Sequence, residues 1–213
     1  MILGVTPARG GSKGIHRKNT RTMCGKPLLA WTMEAARDSH LLDRYVVSTE
    51  DDEIAGIAWK WDVEVLDRPK ELATDGATTL SVLRHALTCL SADVVVLLQA
   101  TSPIRDSGLI DICVRRFLET DVDSLATGFM CKLVEYGKNN LRRQDIEGFF
   151  YDDGNVYVIR ADLLRAGDRY GRRVESVLLD REQNIEIDDE FDFRMAEQIL
   201  QSRLGKPSEI SVT

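Results

Sequence analysis

Ala8-Arg9-Gly10-Gly11-Ser12-Lys13-Gly14 follows directly on the apolar run Met1-Ile2-Leu3-Gly4-Val5, and Arg17-Lys18-Asn19 comes a few residues later. Glycines and cations so closely spaced could cradle a triphosphate. Glycine lets backbone N–H groups approach phosphate oxygens, and Arg and Lys neutralise their charge. The same composition would also suit a solvated basic turn. Its place after a first strand favours the ligand, because open α/β sheets bind ligands beyond strand C-termini. Neither common phosphate motif is spelled out. Lys13 precedes Gly14, Gly25-Lys26-Pro27 lacks the following Ser or Thr, and G-x-G-x-x-G is absent.

Ile185-Glu186-Ile187-Asp188-Asp189-Glu190 reads as a strand running into a helix start. On a strand Glu186 and Asp188 share a face, where two carboxylates repel unless a cation joins them, and hard oxygen donors suit Mg²⁺. For Asp189 and Glu190, capping the helix is role enough. Gln99-Ala100-Thr101-Ser102-Pro103-Ile104-Arg105 places an amide, hydroxyls and a guanidinium just past a strand; Gln99 is the one expected to face a ligand, although a capped strand-to-helix connection would read alike. In Asp67–Asp75, Arg68 precedes a proline and is biased to extended backbone, which can offer N–H and C=O groups to a nucleobase edge. That stretch would equally make a surface ion-pair loop. Asp51-Asp52 most simply starts a helix and Asp152-Asp153, before Gly154, most simply makes a turn. Neither spells the Asp-x-Asp of a metal-dependent glycosyltransferase.

The elements that must position these groups alternate. Strands are expected at Ile2–Val5, Arg44–Thr49, Val63–Leu66, Asp93–Gln99, Ser124–Phe129, Gly154–Arg160 and Val174–Leu179. Helices are expected from Pro27 to about Ser39, Asp51 to Asp62, Thr78 to Leu90, Ser107 to Thr120 and Glu190 to Leu204, the last with Phe191, Met195, Ile199 and Leu200 as its apolar stripe. This rhythm predicts an α/β, doubly wound, mostly parallel sheet. It breaks between Met130 and Asp153, which reads as an aromatic-rich antiparallel excursion. Residues 1–205 are expected to form one domain, with residues 206–213 a loose tail.

A chain of 213 residues suffices for one domain burying roughly 70% of its unfolded surface. Its 43% hydrophobic and 30% charged residues are ordinary for a globular protein. A net charge of −7, with the cations gathered in loops, argues against nucleic acid and suits a small anion. No apolar run nears the ~20 residues that span a bilayer, and no leader pattern opens the chain. Cys24, Cys89, Cys113 and Cys131 are scattered, as reduced thiols of a cytoplasmic protein would be, and the histidines lack zinc spacing.

Together these segments resemble the acylneuraminate cytidylyltransferase family, the CMP-sialic acid synthetases and relatives acting on legionaminic or pseudaminic acid. ARGGSKG with Lys18-Asn19 is similar to the family's A-R-x-x-S-K-G…K-N loop. Val47-Ser48-Thr49-Glu50 resembles its V-S-T-D, RPKELATD its R-P-x-x-L-A-x-D, and LQATSPIR its L-Q-P-T-S-P-L-R. Arg143-Gln144, DDGNVYV and IEIDDEFD take the places of its R-Q, N-G-x-x-Y-V and I-D-I-D-T-E-x-D elements.

The resemblance implies a nucleotide-diphospho-sugar transferase-like fold whose excursion serves a homodimer. It implies a cytoplasmic, Mg²⁺-dependent enzyme that joins CTP to a nine-carbon 2-keto sugar acid and releases pyrophosphate, for cell-surface polysaccharide. Ala8, Arg9, Ser12, Lys13 and Asn19 would hold the nucleotide, with Arg9 and Lys13 also serving the chemistry. Arg68 and the backbone around Ala77 and Thr78 would read cytosine. Gln99, Arg143 and Tyr157 would face the sugar acid, and Asp188 with Glu186 would hold the metal, Asp188 counting also as catalytic. Four departures stand out: the stretch between Phe129 and Arg143 is shorter than in the sialic acid synthetases, and three residues differ. Glu186 replaces an Asp, Ala100 a proline and Asp153 an Asn, the last adding negative charge near an anionic substrate. A cytidylyltransferase for the eight-carbon acid Kdo, or a nucleotide-binding homologue without activity, are the alternatives.

Overall fold

The structure, a computed structural model, describes residues 1–138 and 140–205; the expected loose tail at 206–213 lies outside them. In chain order the strands are β1 (Ile2–Pro7), β2 (Thr22–Met23), β3 (Lys26–Pro27), β4 (Arg44–Thr49), β5 (Glu64–Asp67), β6 (Val94–Leu97), β7 (Ser124–Cys131), β8 (Phe149–Arg160) and β9 (Val174–Leu178). The helices are α1 (Leu28–Arg37), α2 (Asp52–Lys60), α3 (Thr79–Cys89), α4 (Leu109–Glu119), α5 (Ala161–Arg165) and α6 (Glu190–Leu204).

Seven strands form one sheet in the order β5-β4-β1-β6-β8-β7-β9, and β2 pairs with β3 in a separate ribbon. Every pairing in the large sheet is parallel except the two made by β8, so a single strand runs against the rest. This is the mostly parallel, doubly wound sheet that the strand–helix alternation predicts. Strands β1 and β6 are apolar along their length because helices cover both faces. Leu83 and Ala86 of α3 pack on one side with Leu3, Val5, Val95 and Leu97. On the other, Cys113, Val114 and Phe117 of α4 pack with Val94, Val96 and Leu98.

Four expectations need correction. Ile185–Asp188 is not a strand. Ile187 is fully buried among Ile15, Met23 and Phe193, and its N–H donates to the Thr101 carbonyl (2.8 Å) rather than to a neighbouring strand. Asp152-Asp153 does not make a turn: both lie within β8, beside a register shift against β7 between Ala126 and Gly128. There Gly154 takes φ +74, and Asp153 turns inward to accept from Thr127 Oγ1 (2.7 Å) and the Asn155 N–H (3.0 Å). Burial raises the Asp153 carboxyl above the ordinary range, opposed by its hydrogen bonds from Thr127 and the Asn155 N–H.

The third correction concerns α6, whose buried face is Phe193, Ala196 and Leu200; Phe191 and Met195 are exposed. A capping box between Asp189 and Asp192 sets the start of that helix, as the carboxylates there predict. Fourth, only the base of the Met130–Asp153 excursion is a ladder. Residues Gly128 to Cys131 pair antiparallel with Asp152 to Phe149, and the segment between carries just one 3-10 turn at Arg143–Asp145 among the described residues. Met130, Leu133, Tyr136, Phe149 and Tyr151 are exposed there.

Candidate active site

The C-terminal ends of β1, β5 and β6 open onto one cleft of about 250 Å³, lined among others by Arg9, Ser12, Lys18, Asn19, Arg68 and Gln99. Its floor is tied down by β4. The Ala8 N–H continues the ladder to the Ser48 carbonyl (2.9 Å), and the Arg68 N–H bonds the Thr49 carbonyl (3.0 Å). Ala8 is therefore fully buried, with its N–H already used.

The cation loop is organised almost wholly by carboxylates. Arg9 and Lys13 grip opposite oxygens of Asp75, each at 2.9 Å, and the pair pulls that exposed carboxyl below its usual range, Lys13 most strongly. Arg17, left-handed at φ 54, makes a two-pronged contact with Asp51 (2.7 and 2.9 Å) and also pairs with Glu53. Asp51 caps α2 through the Ile54 N–H as well. Asn19 donates to the Arg9 carbonyl at 3.0 Å and so braces the loop from inside. Ser12, Ala77 and Thr78 line the same cleft, the Thr78 hydroxyl also capping α3 through the Ser81 N–H.

Lys18 carries the loop across to the carboxyl-terminal acids. Its Nζ donates to the Ile187 carbonyl at 2.5 Å and lies 3.9 Å from Asp188 Oδ1. Gly14 sits so close to the Asp188 carbonyl that a Cβ there would fall 1.9 Å from it, so only glycine permits the approach. Burial lowers the Lys18 pKa, opposed by Asp188 and then Glu186.

Glu186 is largely buried and accepts from Thr101 Oγ1 at 3.4 Å. Burial first, and then Asp188, push its carboxyl above the ordinary range, opposed by Thr101 and Lys18. The bulge at Gly154 makes room for this meeting. A Cβ there would lie 2.8 Å from Gln99 Nε2, 2.9 Å from Ser102 Oγ and 3.2 Å from Glu186 Oε1. Behind Gln99, the buried Arg105 guanidinium donates to the Gln99 carbonyl (2.8 Å), the Asn155 carbonyl (2.9 Å) and Thr32 Oγ1 (2.8 Å). Desolvation lowers its pKa to about 10.

A second, larger cavity of about 850 Å³ begins at Glu186 and is walled by Arg143, Phe129, Phe191 and Met195. Tyr157 lies apart from both. Its hydroxyl donates to Asp152 Oδ2 (2.6 Å), and it lines a separate space of about 170 Å³ with Arg169 stacked 4.6 Å from its ring centre. The structure therefore brings together Arg9, Ser12, Asn19, Arg68, Ala77, Thr78 and Gln99 in one cleft, with Lys13 joined to it through Asp75. Glu186 and Arg143 share the adjoining cavity, Asp188 sits on the exposed rim by Lys18, and Ala8 and Tyr157 stand outside.

The sequence places Lys18 among the cations of the loop and in the Lys-Asn pair without a separate role, and gives Asp75 and Glu50 none. Lys18 was findable from that motif; the two acids act through partners far along the chain. Among the described residues, no group of three or more His, Cys, Asp or Glu side chains is arranged to hold a metal. Nor is any helix long and apolar enough to cross a membrane.

A cation loop thus faces acids across the C-terminal edge of the sheet. The chain belongs to the cytidylyltransferase family, whose model matches residues 3–188. It is 31% identical to the N-acylneuraminate cytidylyltransferase of Escherichia coli O18:K1:H7 over 95% of this chain and 52% of that protein. The N-acylneuraminate cytidylyltransferase A of Danio rerio is 32% identical over 90% of this chain and 49% of its own length. The chain thus spans about half the length of these relatives. It spans 96% of the post-translational flagellin modification protein B of Campylobacter coli, which is 28% identical over 95% of this chain. In fold it is similar to a CMP:2-keto-3-deoxy-manno-octonic acid synthetase complexed with CTP (TM-score 0.76, 14% identity, 95% of this chain and 99% of that one). The 4-diphosphocytidyl-2C-methyl-D-erythritol synthase of Anaerococcus prevotii DSM 20548 is also similar (TM-score 0.69, 14% identity, 94% and 98%).

Proposed function

We propose that the protein activates a nine-carbon 2-keto sugar acid, sialic acid or a legionaminic or pseudaminic relative, with CTP. The observation that carries this reading is the junction at Lys18, where the cation loop touches the Ile187–Asp188 segment. The name of the Escherichia coli relative, N-acylneuraminate cytidylyltransferase, supports the acid and the nucleotide alike. The anomeric 2-hydroxyl of the sugar attacks the α-phosphorus of CTP, the bond to the bridging oxygen breaks, and pyrophosphate leaves in line. Such a transfer is carried mainly by positioning and charge neutralisation.

In this scheme Arg9, Ser12 and Lys13 hold the triphosphate, and Lys18 stabilises charge nearest the acids. Arg68 and the backbone at Ala77 and Thr78 read the base. Gln99, beside the Gly154 gap, orients the acid, and Arg143 in the adjoining cavity offers its carboxylate a cation. Tyr157, in β8 and outside both cavities, takes no direct part. Glu186 and Asp188 fit Mg²⁺, which takes one or two protein carboxylates and fills its shell with substrate oxygens and water. When bound it would neutralise phosphate charge and lower the pKa of the attacking hydroxyl. A cytoplasmic homodimer, paired through the exposed apolar excursion, completes the reading.

The test offers sialic, legionaminic and pseudaminic acids and Kdo, each with CTP and with UTP, and measures pyrophosphate. Release with CTP and a nine-carbon acid is expected. Release with Kdo alone would move the protein to the eight-carbon branch, and none with any acid would leave it a binding protein.

A further inference from the structure

Behind the cation loop lies a carboxylate that the proposed chemistry does not use. Glu50 follows directly on β4, and its two oxygens take one donor each: Oε1 accepts from the Gly10 N–H at 2.8 Å and Oε2 from Arg68 NH2 at 2.6 Å. Those donors belong to two separate loops, one placed at the triphosphate and the other at the base. We propose that Glu50 is a positioning residue for nucleotide binding, a carboxylate whose charge aligns the base-reading Arg68 while it holds the backbone of the phosphate loop at Gly10.

Three observations support this. Arg68 is only 4% exposed although it lines the cleft, and an unpaired buried guanidinium is strongly unfavourable. Glu50 supplies its only ionic partner among the described residues, while Arg68 Nε finds no acceptor in the protein. The guanidinium is therefore aligned by one prong, and its buried Nε–H is left without an acceptor among the described residues.

The loop is also pressed against this turn. A Cβ on Gly10 would fall 2.2 Å from Asp51 Oδ2, so glycine is what lets its N–H reach Glu50. Asp51 grips the same loop again at Arg17. Adjacent acids thus clamp the loop at two points, and only Glu50 passes the constraint on to Arg68. Its side chain is 15% exposed, sheltered enough that water competes poorly for these bonds.

The inference rests on the cleft being a nucleotide site, so the experiment measures CTP binding to the wild-type protein by calorimetry first. No binding would end that reading. With binding in hand, Glu50→Gln keeps the shape but loses the charge. It is expected to raise the CTP dissociation constant about tenfold, the scale of one hydrogen bond to a charged group, with KM for the sugar acid unchanged within twofold. Glu50→Asp keeps the charge and is expected to recover affinity to within about threefold of wild type. Should Glu50→Gln fail to fold, the pair Arg68→Gln and Glu50→Gln/Arg68→Gln replaces it, since the double variant leaves no buried ion unpaired. The two are expected to bind CTP equally, because Glu50 then has no guanidinium to align. Unchanged CTP affinity in Glu50→Gln overturns the proposal. So does a parallel rise in the KM of the acid, a Glu50→Asp no better than Glu50→Gln, or a further loss in the double variant.

Discussion

The two halves of the cleft treat charge in opposite ways. On the amino-terminal side nearly every cation has its acid: Arg9 and Lys13 share Asp75, Arg17 has Asp51, and Arg68 has Glu50. On the carboxyl-terminal side Glu186 and Asp188 have only Lys18 between them, and Glu186 is held above the ordinary carboxylate range. The first half is settled by the protein itself. The second keeps unresolved repulsion that a positive ligand would relieve, at some cost in stability.

Breaking the unsettled side should hurt most. Asp188→Ala, an exposed position at the rim, is expected to abolish most pyrophosphate release while the melting temperature stays near wild type; an active variant would remove the acids from the reaction. Next comes the bridge itself. Lys18→Met is expected to cost about 10²-fold in turnover, the scale of losing one charge-stabilising donor, and Lys13→Ala a similar amount. Equal kinetics in both variants and wild type would mean that the loop only decorates the cleft.

Glu186→Gln sharpens the contrast through pH. A carboxyl whose folded-state pKa is raised favours the fold while protonated, and that benefit fades as pH climbs through the raised value. Wild-type melting temperature should therefore fall from the ordinary carboxylate range upward, and the Gln variant should fall less and melt higher, though with impaired activity. Identical melting curves across that window would contradict the stored repulsion. The smallest effect is expected on the settled side. Asp75→Asn frees Arg9 and Lys13 from an exposed partner, and exposed pairs contribute only about 0–1 kcal/mol. CTP should bind a few-fold tighter and with a steeper salt dependence, measurable by titration at two ionic strengths.

How far the sequence could be read follows the same division. Val94–Leu97 and Arg44–Thr49 announce themselves as strands because β-branched runs between turn residues need no long-range information. The cation loop was legible from its glycines. Ile185–Asp188 looked like a strand for the same local reason, yet Thr101 and Lys18, distant in sequence, take its backbone hydrogen bonds. The Asp153 bulge was hidden too, because Asp-Asp-Gly has the composition of a turn and only pairing with β7 turns it into strand. Phe191 and Met195 fit helical periodicity but face the larger cavity, since Phe193 and Leu200 fill the core instead. Which acid answers which cation depends on contacts as far apart as Arg9 and Asp75, beyond the reach of any local pattern.

The reversed strand β8 has a consequence of its own. It starts at Phe149 and Tyr151, out on the exposed apolar surface, and within three further residues reaches Gly154 against Gln99 and Glu186, a run of roughly 10 Å along a strand. An extended backbone is stiff along its axis, so a push at the outer end arrives at the inner one instead of dissipating in a loop. Whatever rests on those aromatics therefore bears on the packing of Gly154 against Gln99 and Glu186, and loosening that outer support would be felt first at those residues.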